Sequence, residues 1–350
     1  MQLRRSRTAF PVLVPIVALV ATLGALSACS GGGAPVTPGA QSSAAPSPLV
    51  TQSPTPAVVF EGRFIDVHAH IGPNGMPLEE IVQNMDREGI DTMVVLMTPT
   101  AIAQGTPPTD YGIPNAAEQY PGRFISLYGG EAITLLDAVV ARGSFTKEEK
   151  KRYVALLEEA MASGKYSGFG EIALRHVVTD PNGGADVTVP GDHPWMLIMS
   201  DIAAKYDVPI DLHMDLEAGD GGIAGLEALL EHNRDTKIIW SHTAWSRTDF
   251  TSSTADSLRQ LLDSHPNLYS SIKIQTETAF LDRNGKIRPE WIALFQDYPE
   301  RFMVGSDIKP GLVEGEFSFI EKHRGFLEQL PPKILKAFER DTAIEVFQIG

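Results

Sequence analysis

Six residues scattered along the chain have the types and spacing to hold a metal ion. The stretch "FIDVHAH" (64–70) ends in His68 and His70, one residue apart, while "GFGEIA" carries Glu171, "DLHMD" His213, "WSHTAW" His242 and "GSDIK" Asp307. In a strand, residues two apart face the same side, so His68 and His70 can meet one ion. Neutral imidazole and carboxylate are the ligands expected of zinc and similar borderline cations. A lone histidine at a strand end is more often a hydrogen-bonded structural residue. What gives these six weight is that one closed fold would bring them all together.

From residue 63 onward an apolar or β-branched run, a polar loop and an amphipathic helical segment alternate. Eight runs can be counted, at 63–70, 92–98, 123–130, 166–174, 208–215, 237–245, 267–274 and 301–309. Between them lie segments with helix punctuation. Pro77, Pro194 and Pro289 stand where a first helical residue would, and Gly89 reads as a stop. A longer polar insertion, 131–164, contains one charged helix, "KEEKKRYVALLEEAMAS". Eight strands alternating with helices predict a parallel sheet closed into a (β/α)8 TIM barrel, an α/β fold. An open doubly wound sheet would announce itself by a glycine-rich phosphate loop after its first strand, and "HAHIGPNG" is no such loop. Active sites of these barrels gather at the C-terminal ends of the strands, which is where the six residues fall.

His-x-His after strand one, Glu on strand four, His on strands five and six, and Asp on strand eight resemble the metal-dependent hydrolases of the amidohydrolase superfamily. The resemblance spans residues 63 to 310, and the C-terminal "PPKILKAFERDTAIEVFQ" is similar to the closing helices of the amidohydrolase-related (amidohydrolase 2) family. It implies that His68, His70 and Asp307 hold one divalent ion and His213 and His242 a second, with Glu171 between them. Much of the superfamily has a carboxylated lysine at the Glu171 position. Single-zinc decarboxylases also belong to the amidohydrolase-related family, so the resemblance implies one or two ions per chain, zinc first among them. Asp307 would then take a proton from the attacking water and pass it to the leaving group. Arg175, His176 and Lys273, at or just past strand ends, are candidate contacts for an anionic group of a small-molecule substrate; surface or loop-fastening roles suit them equally. His193, His232, His265 and His323 fall on helices or helix ends, where capping or exposure suffices.

Three functions follow from this reading. The first is hydrolysis of an amide, ester, lactone or phosphoester bond in a small molecule. The second is nonoxidative decarboxylation with one ion, which calls for cations to hold the substrate's carboxylate. The third is a non-catalytic metal-binding surface protein.

The N-terminal 58 residues are of another kind. Arg4, Arg5 and Arg7 precede an apolar run that closes on "LSAC", which resembles the lipobox of bacterial lipoproteins, so residues 1–28 read as an export signal and Cys29 as the lipidated first residue of the mature chain. Residues 29–58 are rich in Gly, Pro, Ser and Ala and carry no charge, the composition of a disordered tether to a domain at 59–350. The expected location is therefore outside the cytoplasm, membrane-anchored through Cys29 and facing the periplasm or cell surface. Because Cys29 is the one cysteine, the domain has neither disulfides nor thiolate ligands. Loss of three arginines and no acid would take the net charge from −15 to −18, which argues against a nucleic-acid partner.

Overall fold

The computed structural model describes residues 62–72, 75–98, 113–177, 186–216, 222–243, 254–274, 279–311 and 315–350. The export signal, the tether, Cys29 and parts of the loops that follow the strands lie outside the described residues.

All eight expected strands form: β1 (Phe64–Ala69), β2 (Ile90–Val95), β3 (Phe124–Ser126), β4 (Phe169–Arg175), β5 (Ile210–Met214), β6 (Ile238–Ser241), β7 (Leu268–Ile272) and β8 (Phe302–Val304). They are parallel and hydrogen-bonded in the order β3-β2-β1-β8-β7-β6-β5-β4. The ring closes just past β3, where the Tyr128 amide donates to Gly168 O (2.8 Å) and the Gly170 amide donates to Tyr128 O (3.1 Å). β3 and β8 are shorter than the sequence runs because the residues after them leave the ladder to build the mouth.

Around the barrel lie α1 (Leu78–Glu88), α2 (Ile113–Gln119), α3 (Gly130–Arg142), α4 (Lys147–Ala162), α5 (Pro194–Tyr206), α6 (Ile223–His232), α7 (Ala255–Ser264), α8 (Pro289–Asp297), α9 (Ser318–Leu327), α10 (Pro332–Lys336) and α11 (Thr342–Phe347). The punctuation works locally as read. α1 begins after Pro77, has Glu79 and Glu80 in its first turn and stops at Gly89, whose left-handed backbone (φ 80°) lets its amide reach Met85 O. Pro194 and Pro289 open α5 and α8, where a missing N–H costs nothing. The insertion after β3 includes the charged helix as expected and holds a second helix before it. α4 is the charged one, started by a Thr146–Glu149 capping box; α3 lacks any side-chain cap and begins between glycines, so its start carries no sequence signal.

Ile65, Val67, Val94, Leu96, Leu127, Ile239, Tyr269 and Met303 pack together as one buried cluster on and beside the strands. Ala343 and Val346 of α11 and Phe347 pack against this cluster, so the C-terminal helix covers the end of the barrel away from the six candidate residues. Function is left to the other end.

Asp137 on α3 is half-buried, and burial pushes its carboxyl up to about 7. A carboxyl raised on folding stabilises the fold at low pH and loses that contribution as pH rises through the folded-state value. Asp137→Asn is therefore expected to melt at a higher temperature than the parent at pH 8.5, with the gap shrinking toward pH 4. Thermal scans across that range check it.

Candidate metal centre

β1 places the first two ligands. Its pairing with β2 shifts register between Asp66 and Ala69, and His68, within that irregularity, and His70, just after it, stand edge-to-face with ring centroids 5.0 Å apart. His70 Nδ1 donates to Leu96 O (3.0 Å), which fixes the tautomer and leaves Nε2 to present a lone pair. His68 Nδ1 faces Asp211 Oδ2 (3.3 Å) and Ser241 Oγ (3.1 Å), and the Ser241 hydroxyl donates to Asp211 Oδ2 (2.7 Å). The opposite nitrogen, His68 Nε2, is buried with no hydrogen-bond partner. A buried, oriented and unused imidazole nitrogen is what a metal ligand requires.

Glu171 stands between two pairs of imidazoles and turns one oxygen to each. Its Oε2 lies 3.6 Å from His68 Nε2 and 3.5 Å from His70 Nε2. Its Oε1 lies 2.8 Å from His213 Nδ1 and 3.6 Å from His242 Nε2. Asp307 Oδ1 is 3.0 Å from His70 Nε2, and Oδ2 is 3.8 Å from His242 Nε2. Three groups of potential ligand atoms fall within 4.8 Å of one another: His68, His70 and Glu171; Glu171, His213 and His242; and His68, His242 and Asp307. Such a donor set fits a divalent cation.

The backbone marks the same place. Among the described residues, four that are not glycine have positive φ, and two of them, Asp207 and Gln348, are ordinary left-handed helix ends. The other two are His242 (φ 59°), immediately beyond β6, and Asp307 (φ 53°), three residues beyond β8. A left-handed histidine or aspartate costs conformational energy that the surroundings must offset, a pattern concentrated at functional sites. At Gly305 a Cβ would sit 2.9 Å from His68 Cβ, so glycine there lets the β8 end approach β1.

The field at the centre is strongly negative. Burial opposes charging of His68, yet the Asp211 and Glu171 carboxylates outweigh it and hold the imidazole well above its ordinary range. For His213 burial is likewise overridden by Asp215 and Glu171, and the imidazole is raised to about 9. Burial would raise Glu171 itself, but the surrounding histidines keep it well below the carboxylate range. Burial pushes His242 down to about 3, so that ring stays neutral.

The other candidates are placed less uniformly. Lys273, just past β7, is buried, and its ammonium pairs with Asp307 Oδ2. His176 is buried with its ring 4.8 Å from that of His213. Arg175 is half-buried opposite Met214 in the β4–β5 ladder and joins none of the three ligand groups. His193 caps α5 by accepting from the Trp195 amide (3.3 Å). His323, expected to be capping or exposed, is instead fully buried, and its Nε2 accepts from the Ile274 amide (3.0 Å).

Sequence reasoning passed over the supporting carboxylates. Asp66 accepts from the Ser306 amide (2.9 Å) and hydroxyl and from the His68 amide (3.2 Å), tying β1 to the β8 end. Asp211 orients His68, and Asp215 Oδ1 meets His213 Nε2 (3.1 Å) while its Oδ2 accepts from the Val177 amide (2.8 Å). The signal was present: "DVHAH" and "DLHMD" alternate acid and histidine at the two-residue period of a strand. Partners of this kind typically support metal affinity by 10- to 100-fold. Asp211→Ala is accordingly expected to weaken divalent-metal binding by about that factor, as read by calorimetric titration.

No protein-family model and no curated relative matches the chain. Among solved structures it superposes on an uncharacterized TIM-barrel protein from Bordetella bronchiseptica with a TM-score of 0.51 at 14% identity, over 82% of this chain and 98% of that one. An Agrobacterium tumefaciens protein solved in its apo form gives a TM-score of 0.51 at 16% identity, over 85% and 99%. The chain has the TIM-barrel fold. A dihydroxybenzoic acid decarboxylase from Polaromonas, solved with manganese and an inhibitor, gives a TM-score of 0.49 at 12% identity, over 82% and 97%.

Proposed function

We propose that this chain is a metal-dependent enzyme of the amidohydrolase superfamily that acts on a small carboxylic acid, breaking the bond to its carboxylate to release carbon dioxide, with a proton from solvent taking the carboxylate's place on the carbon. The observation that carries the metal dependence is the division of Glu171, one oxygen toward His68 and His70 and the other toward His213 and His242. His68, His70, Glu171, His213, His242 and Asp307 are the residues that would hold zinc or a similar divalent ion, which when bound supplies Lewis-acid polarisation of a substrate oxygen.

What favours an acid substrate is the buried Lys273 ammonium in contact with Asp307 Oδ2. Burial would raise the Asp307 carboxyl, but the Lys273 ammonium beside it outweighs burial and holds it below the carboxylate range. Lys273 also brings a buried positive charge to the mouth of the site, suited to a substrate carboxylate. His176, beside His213, is placed to contact the rest of the substrate. Hydrolysis of an ester, lactone, amide or phosphoester is the second reading, supported by the suitability of a shared Glu171 for bridging two ions.

The two readings separate in one assay. Metal-loaded protein is offered aromatic and enoic acids with carbon dioxide measured, and neutral esters, lactones and amides with proton release measured. Carbon dioxide from an acid supports the proposal. Turnover of the neutral panel alone would replace it with hydrolysis, and a loaded centre inert to both panels would favour the metal-binding surface protein. The lipid anchor on Cys29 and the resulting location are proposed on the "LSAC" stretch alone. Radiolabelled-palmitate incorporation that Cys29→Ala abolishes would support them.

A further inference from the structure

Asp307 divides its two oxygens between unlike partners. Oδ1 lies 3.0 Å from His70 Nε2 and 4.0 Å from His68 Nε2, while Oδ2 is in contact with the Lys273 ammonium. Lysine is almost never so deeply buried unless paired, and here the Lys273 side chain is 7% exposed and that of Asp307 11%. Water is therefore scarce around the pair, and each charge acts on its neighbours at full strength.

The lysine is also held in place from behind. The Ile274 amide, one residue along, donates to His323 Nε2 (3.0 Å), and His323 Nδ1 donates to Phe319 O (2.9 Å) on the same helix, α9. Nε2 thus pins the end of β7 to α9, while the Nδ1 bond within α9 fixes the ring's orientation. Glu316, buried just before α9, accepts from the Lys309 amide, so the β8 side of the pair is fastened too.

We propose that Lys273 is a resident cation of the centre that sets how tightly the divalent metal is held. Its ammonium keeps one Asp307 oxygen for itself, restricts that residue to a single-oxygen ligand, and places a positive charge beside any ion bound to His70 or His242. The role is one of positioning and charge, and it leaves metal exchangeable where an uncovered aspartate would grip it. The inference rests on the metal-dependent reading above and is independent of whether the reaction is decarboxylation or hydrolysis.

The test is calorimetric titration of Mn2+ and Zn2+ into chelator-treated full-length protein, with no substrate present. Lys273→Met and Lys273→Gln are expected to bind metal at least tenfold more tightly than the parent, and Lys273→Arg, which keeps the charge, within about threefold of it. The glutamine variant retains a polar contact to Asp307, so it answers the question if the methionine variant does not fold; melting curves identify that case. Equal or weaker binding by folded Lys273→Met or Lys273→Gln overturns the proposal while leaving the metal centre standing. Absence of metal binding in the parent and every variant overturns both.

Discussion

Replacing Glu171 with alanine is expected to remove turnover and metal together. Its carboxylate turns one oxygen toward His68 and His70 and the other toward His213 and His242, so it joins the β1 histidines to the pair from β5 and beyond β6. Its loss leaves four buried imidazoles crowded together, with ring centroids 4.6 Å apart for His68 and His242 and 5.2 Å apart for His213 and His242. The expected fall in kcat/KM is on the order of 10³-fold or more, equivalent to about 4 kcal/mol of lost stabilisation. Steady-state kinetics on the substrate found by the assay above, paired with metal analysis of the same preparation, checks both halves.

Asp307→Asn is the second large effect, and it acts on stability as well as activity. The amide keeps the shape of the side chain but removes the charge that compensates Lys273. Breaking one half of a buried ion pair typically costs about 3–5 kcal/mol, because the remaining charge stays desolvated. Denaturant melts of the metal-free variant are therefore expected to shift markedly to lower midpoints. Adding Lys273→Met to the same chain removes the stranded charge, so the double variant recovers most of that stability while turnover stays low. If the double variant is no more stable than Asp307→Asn alone, the two side chains are not coupled as the geometry requires.

Much of this was legible in the chain, for identifiable reasons. A buried parallel strand is mostly an apolar run, so a polar residue such as Glu171 or His213 within it, or Asp307 shortly after it, stands out against "FGEIAL", "PIDLHM" and "MVGSDI". Proline and glycine reported the starts and stops of α1, α5 and α8 because they act on the backbone itself. α3 was hidden, since a helix begun at Gly129–Gly130 with no capping side chain announces nothing. The contacts of Lys273 and His323 were equally hidden. Each depends on a residue 34 or 49 positions away in the sequence, and no local pattern encodes that pairing. The left-handed backbone at His242 and Asp307 could not be read either, because neither residue type demands it.

The most direct measurement is elemental analysis of the purified full-length protein beside a His68→Ala/His70→Ala variant, counting zinc and manganese per chain after growth or dialysis with both. At least one equivalent of divalent metal in the parent, lost in the variant while the far-ultraviolet spectrum is unchanged, is the result the site's geometry predicts. A parent that takes up no metal, or a variant that retains the full amount, would contradict a cation held at the mouth of this barrel.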